Sequence, residues 1–437
     1  MIKKIEIKGL FSIFDYSIEM PLRGESMILT GPNGYGKTTI LSIIEALCSL
    51  DLLYFYSIPF KAIKVFYDEQ YELSIESASK NDELTEDDLI ELHSAINFTL
   101  SRNDIMVPTE ESLSITLSTD WDRISGIYNK MSHVHRLPFP EEDNGSSTIL
   151  NDLCSKGDSK LLKKRMTILN AITQTQKTYT SFMIMMRSLS VKAKFIPAQR
   201  LISSASEKSS EILRVAQDLK EYLRKSHYIF LSNSQTHDEK FITRLIGDEG
   251  KISDLDYNTR VKQISSTIIE AKRFDLAGNF YIPEYSESKS EILKSYIEDL
   301  EEKLSSLSTP IKELNLFSRL LDRKRFVGKR CRFSRKHGIQ FISDTDTSVI
   351  PLDALSSGEI NQIIMLYEFI FNIADESILM IDEPEISLHV VWQHEFMKDI
   401  SEIASDKNLY VLIATHSPQI IGSRWKDCFD LYGVARR

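Results

Sequence analysis

The sequence predicts an α/β protein built on a mixed sheet with helices on both faces, together with a helical insertion and a short helical arm. Near the C-terminus, the continuous apolar runs SILMI (377–381) and YVLIA (410–414) alternate with helical segments, a pattern typical of buried parallel strands. Near the N-terminus, the apolar run ESMILTG (25–31) is followed by a glycine-rich loop and the apolar helix TTILSIIEALCSL (38–50). A strand, a glycine loop and a helix in this order indicate a phosphate-binding unit.

Composition limits the class of protein. A chain of 437 residues that is 42% hydrophobic is long enough for two or more domains. The net charge of −10 argues against a protein coated in nucleic acid but leaves room for a local basic patch. The 4 cysteines form no C-x-x-C pair, so neither a zinc ribbon nor a disulfide framework is supported. Since the sequence shows no secretory leader and no apolar run of about 18 residues, we expect a soluble, cytoplasmic protein with no membrane partner.

Local patterns predict the other elements. Residues 2–10 and 12–20 alternate as in a hairpin, and the acidic segment 81–101 predicts a surface helix. Polar segments such as EILRVAQDLKEYLRKS (211–226) have apolar residues at helical spacing, which predicts a short antiparallel arm rather than a long coiled coil. We also expect strands in 60–77, 112–118 and 191–201, a serine-rich linker over 202–210 and a hairpin over 329–343.

The segment GPNGYGKTT (31–39), called here the phosphate loop, matches G-x-x-x-x-G-K-[ST] in full. In this motif, backbone N–H groups surround the β-phosphate, Lys37 reaches the β and γ oxygens, and the Thr38 hydroxyl ligates Mg²⁺. The alternative is an ordinary glycine-rich turn. The motif predicts ATP and Mg²⁺ as ligands, with the nucleotide bound by Asn33, Gly34, Gly36, Lys37, Thr38 and Thr39.

Two further segments place polar side chains directly after buried strands. In SILMIDEPEISLH (377–389), Asp382 is predicted to hold the Mg²⁺ coordination shell and Glu383 to deprotonate the attacking water. In ATHSPQ (414–419), His416 is predicted to hydrogen-bond the γ-phosphate. A lone histidine at such a position is otherwise a structural loop residue.

The segment LSSGEINQ (355–362) predicts the exposed N-terminus of a buried helix. Such an end presents unpaired N–H groups and a partial positive charge, which suit an anion. A simple helix cap is the alternative. A second anion-binding helix end, far along the chain from the phosphate loop, needs a separate explanation.

Taken together, GPNGYGKTT, LSSGE, IDEPEISLH and ATHSP resemble the motifs of ABC-type ATPase heads of the RecF, SMC and OLD families, and they occur in the same order. The resemblance covers about 1–75 and 325–437. It implies that two chains sandwich ATP, each nucleotide held by one phosphate loop and by the signature residues of the other chain. The signature departs from L-S-G-G-Q at its third and fifth positions, and Gln199 in FIPAQRL resembles the family's Mg²⁺-linked glutamine. The signature residues are Ser356, Ser357, Gly358 and Glu359.

The resemblance also implies a division of the chain. The arm lies between the two halves of the ATPase and is preceded by an insertion and by a strand with the glutamine loop. The expected segments are ATPase lobe I over 1–125, the insertion over 126–190, the strand and loop over 191–204, the arm over 205–320 and ATPase lobe II over 321–437.

A second resemblance appears when longer segments around these motifs are considered, namely IPLDALSSGE and IDEPEISLHVVWQ, with FIPAQRL upstream. These segments are similar to ATPase subunits of bacterial anti-phage systems, namely PtuA of Septu and retron loci and AriA of PARIS. No membrane span, zinc hook or TOPRIM domain is expected, so transporters, long-armed repair ATPases and OLD nucleases fit poorly. The similarity implies a homodimer, or a larger homo-oligomer, that senses infection and controls an HNH or TOPRIM nuclease encoded nearby.

A DNA-repair ATPase that binds DNA directly is the alternative function. The stretch RKRFVGKRCRFSRK (323–336), called here the basic stretch, has eight lysines or arginines and would contact the DNA backbone. A solvated hairpin or an interface with an acidic partner explains the same charge. His389 and His394 have poor spacing for a shared metal ion and are interpreted as packing or interface residues.

Overall fold

The computed structural model describes residues 1–67, 70–78, 95–102, 113–118, 176–197, 205–247, 250–324, 326, 328–386, 388 and 390–435. The chain divides into two compact units. The first unit consists of Met1–Pro197, Asp375–Pro384 and Ala404–Arg437, and the second of Ala198–Ala374 and Glu385–Ile403.

The strands are numbered in chain order. They are β1 (Lys4–Leu10), β2 (Phe14–Glu19), β3 (Ser26–Thr30), β4 (Ala62–Phe66), β5 (Tyr71–Ala78), β6 (Ala95–Arg102), β7 (Leu113–Ser118), β8 (Ala193–Ile196), β9 (Lys329–Ser334), β10 (Gly338–Ser343), β11 (Val349–Ile350), β12 (Ile378–Asp382), β13 (Tyr410–Ala414) and β14 (Cys428–Asp430).

The helices are numbered in the same way. They are α1 (Lys37–Ser49), α2 (Gln176–Leu189), α3 (Ala205–Gly247), α4 (Asp254–Arg273), α5 (Ser290–Ser305), α6 (Ser308–Arg323), α7 (Ser357–Phe371), α8 (Val390–Lys407), α9 (Pro418–Ile421) and α10 (Leu431–Ala435). Short 3-10 turns occur at Leu52–Ser57, Glu287–Lys289, Leu352–Ala354, Pro384–Ile386 and Trp425–Asp427.

A parallel sheet in the first unit carries the phosphate loop and the predicted segments that contain Asp382, Glu383 and His416. Its strand order is β14-β3-β13-β12-β8, and every neighbouring pair is parallel. All five residues of β12 are buried, as expected for a strand covered on both faces. Because all strands point the same way, the ends of β3, β12 and β13 lie along one edge of this sheet.

A separate antiparallel sheet in the first unit has the order β2-β1-β4-β5-β6-β7. The predicted N-terminal hairpin is confirmed, with Ile5 opposite Ile18 in the β1–β2 pair. Alternate residues of these strands, including Ile63 and Val65 on β4, are fully buried. The apolar face of α1 belongs to the same hydrophobic core. The α/β class predicted from the sequence is confirmed, with parallel and antiparallel strands in separate sheets.

Two local predictions were wrong. Residues 95–101 were expected to end a surface helix, but they form β6, in which Ile96, Phe98 and Leu100 alternate toward the core. The alternation of INFTL outweighs the helical preference of the acidic residues before it, and those residues, 81–94, lie outside the described part. In the expected serine-rich linker, α3 already begins at Ala205, because serines are well tolerated at the start of a helix.

The helices of the second unit are organised around α3. This helix has 43 residues, which corresponds to about 65 Å at 1.5 Å per residue. Ile212, Val215, Leu219 and Leu223 are fully buried along one face, at the helical spacing expected from the sequence. The face packs against α5, α7 and β10. The predicted hairpin is confirmed as β9 and β10, which pair in an antiparallel sheet with β11.

The turn between β9 and β10 lies directly against α3. Gly338 follows this turn with φ +73°, and a Cβ atom there would lie 2.0 Å from the carbonyl oxygen of Ala216. Only glycine allows both the left-handed backbone and this close approach. The hairpin is therefore held at a fixed position on the helix.

We expect Gly338→Ala to destabilise the protein by about 3 kcal/mol or more, since left-handed strain and overpacking act together. Gly328→Ala is the matched control. Gly328 has φ +71°, but no atom lies within 4 Å of the position that a Cβ atom would take, so only about 1 kcal/mol of backbone strain is expected. Calorimetric melting of the full chain measures both changes, and equal losses would contradict the steric contribution.

Candidate nucleotide site

The phosphate loop connects β3 to α1 in the first unit. Gly36 occupies the N-cap of α1 with φ 81°. A Cβ atom there would lie 3.0 Å from a side-chain carbon of Leu10 and 3.3 Å from the ring of Phe11. The last glycine of the motif is thus required by backbone conformation and by packing against the end of β1.

Aromatic side chains support the same loop. The ring of Tyr35 lies 5.0 Å from that of Phe14 and 5.7 Å from that of Tyr432, centroid to centroid. The Tyr16 hydroxyl donates a hydrogen bond of 2.9 Å to the carbonyl oxygen of Tyr35. Burial raises the pKa of Tyr16 to about 12, so this hydroxyl keeps its proton at neutral pH. Phe14, Tyr16 and Tyr432 were not among the predicted site residues.

The side chains that follow the loop glycines contact both the loop and the neighbouring strand. Lys37 is buried, with only 5% of the residue exposed. Its Nζ atom donates to the carbonyl oxygens of Gly31 at 2.9 Å and Pro32 at 3.2 Å. The Thr38 hydroxyl donates to Oδ2 of Asp382 at 2.7 Å. Asn33 and Gly34 are exposed, and Thr39 is half-buried. The loop and the acidic end of β12 therefore meet at one edge of the sheet.

Glu383 lies beside this contact in a strained conformation. Its φ is 44°, which costs a residue other than glycine roughly 1–3 kcal/mol. Its backbone N–H donates to the carbonyl oxygen of Ala414 at 2.8 Å, which ties the end of β12 to the end of β13. His416 follows β13, and its Nε2 atom lies 3.6 Å from Oε1 of Glu383. The two predicted catalytic side chains are neighbours.

The oxygen atoms of this site fit Mg²⁺. The Thr38 hydroxyl and the Asp382 carboxylate are hard oxygen ligands, which this ion prefers. Among the described residues, no group of three or more His, Cys, Asp or Glu side chains is placed to hold a metal ion. Mg²⁺ needs no such group, because it usually keeps water and takes further oxygens from phosphates. Gln199 and His389 lie outside the described residues, and His394 is exposed.

The signature residues belong to the second unit, at the start of α7. Ser356 and Glu359 form a capping box, in which the Glu359 N–H donates to Oγ of Ser356 at 3.3 Å and the Ser356 N–H donates to Oε2 of Glu359 at 2.8 Å. Ser357 is exposed. A Cβ atom on Gly358 would lie 2.8 Å from the ring of Trp392. The predicted buried helix with an exposed N-terminus is confirmed.

Glu359 has a cationic partner that the sequence did not reveal. The Nζ atom of Lys329 donates to both carboxylate oxygens of Glu359, at 2.8 and 2.9 Å. Burial alone would raise the pKa of this carboxyl, but hydrogen bonds from Lys329 and Ser356 outweigh it and lower the pKa. The carboxylate is therefore ionised, and its charge is balanced by Lys329.

Lys329 is one of several members of the basic stretch that form ion pairs within the second unit. Arg323 contacts Asp399 at 2.9 Å and Glu402 at 2.6 Å. The buried Lys324 also pairs with Asp399. The other pairs are Arg330 with Asp344 and Arg335 with Asp275. Much of the positive charge of the basic stretch is thus neutralised by acidic residues of the same chain.

No helix within the described residues is both long and apolar enough to cross a lipid bilayer. The lengths and compositions of the helices thus give no indication of a membrane span in that part of the chain.

Comparison with solved structures finds SMC heads. The chain is similar to the Smc head domain from Pyrococcus furiosus, solved with an extended coiled coil and bound to the C-terminal domain of ScpA. The sequence identity is 14%, and the TM-score is 0.30. The match covers 96% of this chain and 90% of that chain. It is also similar to an Smc head bound to the C-winged helix domain of ScpA, with 13% identity, the same coverages of 96% and 90%, and a TM-score of 0.32.

Comparison with curated proteins finds no match. Comparison with protein families matches residues 1–421 to the AAA ATPase domain. Because this match spans most of the chain, the chain belongs to the AAA ATPase domain family, and this membership implies nucleotide binding, typically together with Mg²⁺.

Proposed function

We propose that this protein hydrolyses ATP to ADP and phosphate at a site completed by a second copy of the chain. The observation that carries the proposal is the 2.7 Å hydrogen bond from Thr38 to Asp382, which joins the phosphate loop to the strand end that also holds Glu383. A nucleotide on the loop would place its terminal phosphate near Glu383 and His416.

Each side chain has a role set by its chemistry. The loop N–H groups and Lys37 bind the phosphates, and Asn33, Gly34, Gly36 and Thr39 shape the loop around them. Thr38 and Asp382 hold Mg²⁺, with Gln199 as a further ligand, and the ion balances phosphate charge when bound. Glu383 accepts the proton of the attacking water. His416 contacts the γ-phosphate and, through its position beside Glu383, reports whether that phosphate is present.

The signature helix end supports a composite site. Its N–H groups and the exposed Ser357 suit a phosphate, but an unbalanced carboxylate at Glu359 would repel one. The Lys329 partner and the capping box remove that obstacle, because the carboxylate is already engaged by Nζ at 2.8 Å and by the Ser356 N–H. We infer that two copies exchange signature helices across a pair of ATP molecules, and that such dimers can assemble further.

At the level of the cell, we propose a sensor and scaffold of an anti-phage complex that controls an HNH or TOPRIM nuclease. The proposal is supported by the resemblance of the segments IPLDALSSGE, IDEPEISLHVVWQ and FIPAQRL to segments of such ATPase subunits. Direct DNA binding by the basic stretch is less favoured, because a strand of phosphates needs several unpaired cations and this stretch uses many of its own in internal ion pairs. Purification with the neighbouring gene product tests the complex.

Glu383→Gln is expected to keep ATP binding and lower the hydrolysis rate by roughly 10²- to 10⁴-fold, because the general base is lost. Lys37→Ala is expected to abolish nucleotide binding, since the side chain that reaches the β and γ oxygens is removed. Phosphate release and fluorescent-nucleotide titration distinguish the two variants. Hydrolysis by Glu383→Gln at the parental rate would show that another group takes the proton.

Mixing two inactive variants tests the composite site. Ser357→Arg is expected to bind ATP but not turn it over, and Lys37→Ala is expected to do neither. A mixed dimer contains one site with an intact phosphate loop and an intact signature, so the mixture should regain ATPase activity. Continued inactivity of the mixture, with heterodimers demonstrated by mass measurement, would place the signature helix outside the site.

The Lys329–Glu359 pair is expected to matter for turnover as well as stability. Lys329→Met leaves a carboxylate that is only 9% exposed without its cation, which should cost about 1–3 kcal/mol in unfolding free energy and raise KM for ATP. Glu359→Gln keeps the cap without the charge, so the Lys329→Met/Glu359→Gln double variant should recover both properties in a double-mutant cycle.

Arg332→Met, exposed on the same strand, is the control and should change neither property. The pH dependence gives a second check. Because pairing lowers the pKa of Glu359 on folding, the pair stabilises the fold above about pH 4.5, and this contribution is lost as the pH falls through the folded-state pKa. A double variant that remains as impaired as Lys329→Met would argue against charge balance.

A further inference from the structure

A pocket in the second unit is lined by residues from three separate segments. Arg224 and His227 come from α3, Asp275 from the turn after α4, and Arg335 and Lys336 from the turn between β9 and β10. Its volume is about 400 Å³, within the roughly 300–1,000 Å³ of small-molecule sites. These residues have no part in the proposed ATP site.

The pocket walls are held together by hydrogen bonds within the second unit. The backbone N–H and Nη2 of Arg335 donate to the two carboxylate oxygens of Asp275, at 3.0 and 2.8 Å. Nε of Arg224 donates to the carbonyl oxygen of Arg335 at 3.1 Å. With Gly338 seated against α3, these contacts fix the turn in place before any ligand arrives. A site built in advance loses little entropy on binding.

The ring of His227 also has a defined role. Its Nδ1 atom lies 2.6 Å from the carbonyl oxygen of Leu276. A carbonyl oxygen only accepts, so Nδ1 carries the proton. In the neutral ring Nε2 is then an acceptor, so it can receive a hydrogen bond from a hydroxyl group of an organic ligand.

Positive charge exceeds negative charge in this pocket. Arg224, Arg335 and Lys336 are opposed by one lining carboxylate, Asp275, whose pKa is lowered by hydrogen bonds from Arg335. Arg224 also has Glu221 at 3.5 Å. Within the part of the chain that the structure describes, the exposed Lys336 has no ion-pair partner. The remaining cationic donors suit an anion.

The surroundings indicate what kind of anion. Guanidinium groups combined with an ammonium group match the oxygens of a phosphate. A nucleic acid would need further unpaired cations along its backbone, whereas Arg323, Lys324, Lys329 and Arg330 are engaged in ion pairs. The pocket, which is open to solvent, therefore presents a local positive charge that suits a single phosphate group better than a chain of phosphates.

We propose that the pocket formed by Arg224, His227, Arg335 and Lys336 binds the phosphate monoester group of a small organic ligand. Arg224 and Lys336 supply charge at the rim, and Arg335 is held in place by Asp275. The site is separate from the phosphate loop, and it places a phosphorylated ligand between the long helix α3 and the hairpin.

The test uses the full chain carrying Lys37→Ala, so that the phosphate loop does not contribute. Ribose 5-phosphate is titrated by calorimetry, with ribose as the unphosphorylated control and inorganic phosphate as competitor. We expect one saturable site per chain that does not bind ribose. Lys336→Met and Arg224→Met should each weaken binding by about tenfold. Lys225→Met, exposed on α3 outside the pocket, should leave binding unchanged.

Three results would overturn the proposal. The first is no saturable binding of ribose 5-phosphate at about 10 mM, where even weak affinity is measurable. The second is an equal loss in Lys225→Met and Lys336→Met, which would indicate diffuse charge attraction. The third is pocket-dependent binding of a 5′-phosphorylated single-stranded oligonucleotide without binding of ribose 5-phosphate, which would assign the site to nucleic acid. Circular dichroism of each variant confirms that it is folded.

Discussion

The proposed chemistry depends on one hydrogen bond, from the Thr38 hydroxyl to Asp382, between residues 344 positions apart in the chain. This contact exists because β3, β13 and β12 are parallel neighbours, so that their carboxyl ends share one edge of the sheet. The phosphate loop follows one strand, Glu383 another and His416 the third. The sheet converts three distant sequence motifs into one cluster, and without it none of these side chains would have a partner for phosphate chemistry.

The second unit shows how a charge that is unfavourable for the proposed function is made compatible with it. A glutamate in the signature would oppose a phosphate, yet the same side chain caps its own helix and is neutralised by Lys329. Capping and ion pairing together hold the helix end in one conformation. Removing Lys329 alone should cost more than breaking an exposed salt bridge, because Glu359 is largely buried and would be left without its cation.

Short sequence patterns were enough to predict the elements that depend only on neighbouring residues. The phosphate loop, the buried runs of β12 and β13, the N-terminal hairpin and the capped helix α7 each follow from a motif or a short period. The strand β6 was missed because the acidic residues before it favoured a helix, although the alternation of INFTL already indicated a strand. The Lys329–Glu359 pair and the packing of Phe14 and Tyr432 on Tyr35 join separate segments, and no local pattern records them.

The order of strands in the parallel sheet has a consequence for biosynthesis. β13 lies between β3 and β12, although it is formed by residues 410–414 near the end of the sequence. A nascent chain on the ribosome therefore carries the loop-bearing strand β3, and then the acidic strand β12, before the strand that separates them has emerged. The central position stays vacant until residues 410–414 have been made, and a shortened product that ends before residue 410 would contain every glycine of the loop without the strand that joins β3 to β12.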